Sequence, residues 1–221
     1  MKPVIDVISH RRQINPELAA WLEAVRRSHP VRTIYSQYDL PLARRQSLAN
    51  FIAKDVPAGY THLVQLDDDL VPVPTTEHIL VEPGDLVYCG IAGRSGKWGH
   101  YGDGDFGAAC CRISAKLAAD LEVATRFDYG FNADRTEMVR CECQVFNDQA
   151  RRLGYTSRMV GVVGHCVPMT VFPGPVFVLD RDIASPGGAL PFLPSPRDGR
   201  HGIKAQQAQR RRPGNRGQHL P

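Results

Sequence analysis

At 221 residues and 43% hydrophobic composition, the chain can form one sizeable domain, or one domain and a tail. No apolar run approaches the roughly 20 residues of a membrane helix. The amino-terminal stretch reaches His10-Arg11-Arg12 too early for a secretory signal, so a cytoplasmic protein is expected. The net charge of +4 is unevenly placed: eight basic residues and two acids follow Asp180, leaving residues 1–180 with a net charge of −2. Six prolines and six glycines fall in the last 41 residues, a composition that resists packing. Residues 1–180 are therefore read as the domain and 181–221 as a mobile basic tail. Its Arg210-Arg211-Arg212 cluster offers a contact for DNA or another anionic surface.

In chain order, Val4–Ser9 reads as a first strand. Asn15-Pro16-Glu17 reads as a helix start, with Asn15 as the cap and Leu18, Leu22 and Val25 as the apolar stripe. Val31–Tyr35 suits a second strand, and Leu42–Lys54 a second helix with Leu48, Phe51 and Ile52 turned inward. A strand then runs into Asp67-Asp68-Asp69. Leu86–Gly90 suits another strand and precedes a glycine-rich loop, Gly93 to Gly107, which matches neither common phosphate-binding glycine pattern. Ala108–Arg112 suits a strand leading to a helix capped by Ser114. A helix over about Glu142–Leu153 stops at Gly154, and a last strand, Arg158–Val163, ends at Gly164-His165. Alternating strands and helices predict an α/β fold with a mixed, mostly parallel sheet, whose ligands bind beyond the carboxyl ends of the strands.

Three consecutive acids at a strand end repel one another unless a cation offsets them. Were the backbone extended there, Asp67 and Asp69 would share one face and suit a hard divalent ion. A solvated acidic turn is the plainer alternative. The six cysteines, in a chain with no signal segment, read as reduced thiols, most of them small buried side chains. Cys141-x-Cys143 with His165-Cys166 is only a weak zinc pattern.

Several segments occur in an order that resembles the GT-A fold glycosyltransferases, in particular short family-2-like enzymes. They are Leu42–Ala49, His62–Asp69, Gly104–Ile113, Cys141–Phe146, Gly154-Tyr155 and Val163-Gly164-His165. The resemblance spans about residues 3–170 and implies a single GT-A-like, Rossmann-type domain. It also implies transfer of a sugar from a nucleotide-diphosphate sugar to a hydroxyl acceptor, a saccharide or a hydroxylated DNA base. By the same resemblance, Asp67 and Asp69 match the metal-holding DxD motif and His165 a distant third ligand, for Mn2+ or Mg2+. Arg44, Arg45, Asp68, Lys97, Trp98 and Gly107 fall at donor-binding positions, with Trp98 and Tyr101 suited to a flap over a sugar. Glu142 matches the start of a helix that carries the catalytic base, but Cys143 stands where such enzymes have an aspartate.

Two other readings compete. Asp67-Asp68-Asp69-Leu70-Val71 fits the nucleophile motif of haloacid-dehalogenase-like phosphatases, although two strand–helix units precede it. A non-enzymatic nucleic-acid-binding protein acting through the tail is opposed by the acidic body.

Overall fold

The computed structural model describes residues 1–9, 13–36, 39–91, 106–121, 127–136, 138–171 and 174–179. All lie in the first of two units, Met1–Arg181. The Arg210–Arg212 cluster, Lys97, Trp98 and Tyr101 lie outside the described residues.

The elements follow the expected alternation. Strand β1 (Pro3–Ser9) is buried along its whole length, as a central strand covered on both faces requires. Helix α1 (Pro16–Val25) begins where Asn15 Oδ1 accepts the Glu17 and Leu18 amides. Strand β2 (Val31–Tyr35) matches the predicted span. Helix α2 (Leu40–Asn50) starts two residues earlier than expected, because Asp39 caps it by accepting the Leu42 amide and Pro41 is tolerated in its first turn. It continues into a π-helical turn, Phe51–Asp55.

Strand β3 (His62–Asp67) stops at the first acid, and a turn separates it from the short β4 (Leu70–Val71). A 3-10 turn (Pro74–Glu77) and α3 (His78–Val81) lead to β5 (Leu86–Ile91). Strand β6 (Cys110–Ser114) begins two residues after the expected start and is followed by α4 (Ala115–Asp120), capped by Ser114. The pair β7 (Gly130–Phe131) and β8 (Met138–Arg140) was not expected. Helix α5 (Glu142–Arg152) comes next.

Strand β9 (Ser157–Val171) runs well past the expected end at Gly164-His165, and an unexpected antiparallel β10 (Gly174–Leu179) follows it. Its glycines do not end the strand; they let neighbours approach. A Cβ on Gly161 would stand 2.3 Å from the Thr75 carbonyl oxygen, and one on Gly164 would stand 2.9 Å from Val71 Cβ.

The sheet order is β10-β9-β5-β6-β3-β1-β2, with β4 pairing beside β9. Strands β6 and β10 run against the other five on this path, so the α/β class with a mixed, mostly parallel sheet holds. β1 lies between β2 and β3, and the chain leaves it first to one side and then to the other. Such a reversal, here at the carboxyl ends of β1 and β3, is where open α/β sheets bind their ligands.

Apolar residues fill both faces of the sheet. One cluster joins Leu48, Phe51, Leu63, Tyr88, Phe106, Phe127 and Phe146, and the other joins Ile5, Val7, Leu18, Leu22, Val64, Leu66, Ile79 and Val163. Strand periodicity shows within β3: Leu63 faces the first cluster, and Val64 and Leu66 the second. None of the six cysteines forms a disulfide, and five are buried. No helix among the described residues is long and apolar enough to cross a membrane.

Candidate active site

The alternation along β3 decides where the first acid goes. Gln65 lies under α2, where its Nε2 donates to the Arg44 carbonyl and to Ser47 Oγ. Asp67, two residues on, continues on that side and meets Arg44, whose guanidinium donates to Asp67 Oδ1 at 2.6 Å. Arg44 is 1% exposed; it also donates to the Ala108 carbonyl at 2.8 Å and lies 3.6 Å from Glu142 Oε1. Burial alone would lower the Arg44 pKa, but Asp67 and then Glu142 outweigh it and hold the guanidinium charged.

The other two acids part company with Asp67. Asp68 is 1% exposed; its Oδ2 accepts from Ser9 Oγ at 2.7 Å, and its carbonyl accepts the Asn15 amide. Asp69 belongs to the start of the β4 ladder. Leu70 pairs with His165, the Cys166 amide donates to the Asp69 carbonyl, and His165 Nε2 stands 3.4 Å from Asp69 Oδ1. The expectation that Asp67 and Asp69 share a face by extended alternation is thus corrected, because a turn at Asp68-Asp69 interrupts the strand.

Glu142 occupies the first position of α5 and is 8% exposed. Tyr129, which sequence reasoning missed, is half-buried; burial first, and then the Glu142 charge, raises its pKa. Nothing in its local sequence, a tyrosine ahead of a two-residue strand, marks it. Arg45 is held near the Phe127 carbonyl at 3.4 Å and Asp128 at 3.6 Å, away from the acids. Gly107 is buried just ahead of β6, next to the Ala108 carbonyl that receives Arg44.

This gathering of charge has an electrostatic signature. Burial, opposed by Arg44 and reinforced by Asp69 and Glu142, pushes the Asp67 carboxyl up to about 7. Because the folded value exceeds the unfolded 3.8, the native state keeps a proton that the unfolded chain has already released. Stability contributed by this group therefore falls as pH rises from about 4 to about 7. Denaturant unfolding in EDTA at pH 5 and pH 8 is expected to show the loss, of order 1–4 kcal/mol. Asp67→Asn should flatten it, and an unchanged slope in that variant would remove Asp67 as the source.

As to a metal, the donor set is of the right kind: two aspartates and an imidazole suit Mn2+, and crowded carboxylates gain from a cation. Among the described residues, however, no three such side chains stand together in ligand geometry. Arg44 serves as the cation for Asp67 in this arrangement.

Cys141 caps α5: its sulfur accepts the Gln144 amide, and the Gln144 side chain reaches back to the Cys141 amide at 3.4 Å. A hydrogen bond from the Cys143 thiol, opposed by burial, lowers Cys141 to about 7, while Cys143 itself is raised. Cys141 is only half-buried, so at pH 7.5 iodoacetamide is expected to modify it before the five buried thiols. Peptide mapping checks this. Equal labelling of the buried cysteines, or labelling unchanged by Cys141→Ser, would contradict it.

No family model matches the chain, and no curated protein matches it. Among solved structures, the chain is similar to A197 from STIV, with a TM-score of 0.53 and 15% identity, over 81% of this chain and 94% of that one. That similarity establishes a shared fold. It is also similar to glucosyl-3-phosphoglycerate synthase from Mycobacterium tuberculosis, crystallised with Mn2+, uridine diphosphate and glucosyl-3-phosphoglycerate. There the TM-score is 0.38 and the identity 14%, over 74% of this chain and 71% of that one, which is too distant to carry an inference.

Proposed function

We propose that the chain transfers a sugar from a nucleotide-diphosphate sugar to a hydroxyl acceptor, with Mn2+ or Mg2+ held by Asp67, Asp69 and His165. The observation that supports this reading is that buried Arg44 holds Asp67 and Glu142 together beyond the carboxyl end of β3, and that Asp67 feels the charges of the neighbouring Asp69–His165 pair. Ligands of open α/β sheets bind beyond such strand ends.

When bound, the cation would offset charge on the departing diphosphate and orient it. Asp69 lies in the turn just before β4, where the Cys166 amide of β9 donates to its carbonyl, and this fixes it relative to His165 before any ligand arrives. Arg44 keeps Asp67 and Glu142 from repelling each other, so both remain in a partly desolvated site. In the transfer step the acceptor oxygen bonds to the anomeric carbon, the bond from that carbon to the diphosphate breaks, and Glu142 takes the acceptor's proton. The helix start and Arg44, 3.6 Å away, both favour the ionised Glu142 carboxylate, the form that can take a proton. Arg45, Asp68 and Gly107, with Lys97 and Trp98 outside the described residues, are the proposed donor contacts. Asp68 contributes as a brace under the turn, given its bond to Ser9. The acceptor is a saccharide or, through the Arg210–Arg212 tail, a hydroxylated DNA base.

A panel of sugar nucleotides with Mn2+ and with Mg2+ tests the reading, by release of nucleoside diphosphate and mass detection of the glycosylated product. Turnover of at least one donor is expected. Neither binding nor turnover of any donor with either metal would end the proposal.

A further inference from the structure

Helix α5 opens with a thiol on either side of Glu142. Cys141 is the capping residue, extended at φ −75° and ψ 165°, and Cys143 is the second residue of the helix. The Cys143 thiol donates a hydrogen bond to the Cys141 sulfur, so the two sulfurs are already in contact. Residues two apart have Cα atoms at most about 7 Å from each other, and the bend into the helix shortens that reach. A disulfide takes about 4.4–6.8 Å, so closing one here asks little of the backbone.

The two sulfurs differ in the way that peroxide chemistry requires. Cys141 is half-buried, and the Cys143 thiol, opposed by burial and helped by the Gln144 amide, lowers it to about 7. About half of it is therefore thiolate at neutral pH, the form that attacks peroxide. Cys143 is buried and held as the thiol, first by its bond to Cys141 and then by burial. The first of these falls away once Cys141 is no longer a thiolate. Cys89 of β5 and Cys110 of β6 form another hydrogen-bonded pair, but both are fully buried in the sheet, out of reach of an oxidant. The α5 pair combines contact with access.

We propose that Cys141 and Cys143 are a site of oxidation by peroxides, closing to a reversible disulfide around Glu142. The Cys141 thiolate attacks one peroxide oxygen, the O–O bond breaks, and the hydroxide that leaves is protonated to water. The Cys143 sulfur then attacks the resulting sulfenic acid. Its proton leaves with the hydroxyl group as a second water, and the S–S bond forms. Two thiols thereby lose two electrons to one peroxide. A half-exposed disulfide is open to attack by small thiols, which restores the pair. The proposal does not rest on the transferase reading, because it is measured without any sugar donor.

Trypsin cleaves after Arg140 and Arg151, so Cys141 and Cys143 fall in one peptide, 141–151, free of the other cysteines. The full chain is treated at pH 7 with enough hydrogen peroxide to oxidise free cysteine, then unfolded, alkylated with iodoacetamide and digested. The 141–151 peptide is expected to lose two hydrogens and take no label, and dithiothreitol before alkylation should restore both labels. Peptides carrying Cys89 and Cys110 should be labelled throughout. In Cys143→Ser, whose hydroxyl keeps a donor beside Cys141, oxidation should stop at the sulfenic acid, captured by dimedone at Cys141. The mass of the parent peptide stands as a test even if that variant does not fold. Full labelling of 141–151 after peroxide, overoxidation of Cys141 with Cys143 still labelled, or a disulfide from Cys141 to any other cysteine would overturn the proposal. So would the absence of a dimedone adduct in folded Cys143→Ser.

Discussion

Replacing Asp67 with asparagine is expected to lower sugar transfer by at least about a hundredfold while leaving the fold intact. The substitution keeps the shape of the side chain and an oxygen for Arg44, but it removes the charge a divalent cation would use. Asp69→Asn should lose activity to a comparable degree, because Asp69 and His165 are tied together across the β4–β9 ladder. Asp68→Ala separates the three acids. Asp68 is buried against Ser9, so its loss should appear as about 1–3 kcal/mol of stability. Steady-state kinetics over a Mn2+ titration, with denaturant unfolding in parallel, distinguish these outcomes. Undiminished turnover in Asp67→Asn would exclude a metal role for that carboxylate.

The second large effect concerns Arg44. Arg44→Met leaves Asp67 and Glu142 facing each other without the buried cation between them, and removes the donor to the Ala108 carbonyl. Breaking a buried pair from one side costs about 3–5 kcal/mol, so the variant should unfold at markedly lower denaturant. Arg44→Lys keeps the charge but cannot donate in two fixed directions, and is expected to recover only part of the loss. Combining Arg44→Met with Asp67→Asn should be less damaging than the sum of the two changes, because the second removes one of the stranded charges. Strict additivity would show that Arg44 acts through packing, for instance against the Phe127 ring 5.8 Å away, and not through the acids.

Much of the fold was legible because its signals are local. Asn15-Pro16-Glu17 carries a cap, a first-turn proline and an acid in adjacent positions, and the helix starts there. β2 is a short β-branched run, and its limits are those read from the sequence. Of the elements that escaped, β4 and the β7–β8 pair are two or three residues each, and β4 depends on a partner far along the chain, whereas β10 pairs with the preceding β9. Two residues form a strand at Leu70–Val71 only because β9 supplies hydrogen bonds from His165 and Gly164. Likewise Gly164 reads as a strand end in isolation, yet β9 continues through it, because Val71 presses so close that only glycine fits, as Thr75 does at Gly161.

The acidic strand end divides in the same way. The sequence determined that a buried strand ends in three carboxylates at the carboxyl edge of an α/β sheet, and that period-2 alternation carries Leu63, Gln65 and Asp67 toward one side. It also singled out Glu142, His165 and Arg44 as chemically relevant. Only the tertiary structure decided the pairings. Strand order set Asp67 against Arg44 of α2, Asp68 against Ser9 of β1 and Asp69 against His165 of β9. The physical reason is one of range: a backbone's alternation fixes side-chain direction over a few residues, whereas the partner each carboxylate meets depends on which distant strand or helix is packed on that side.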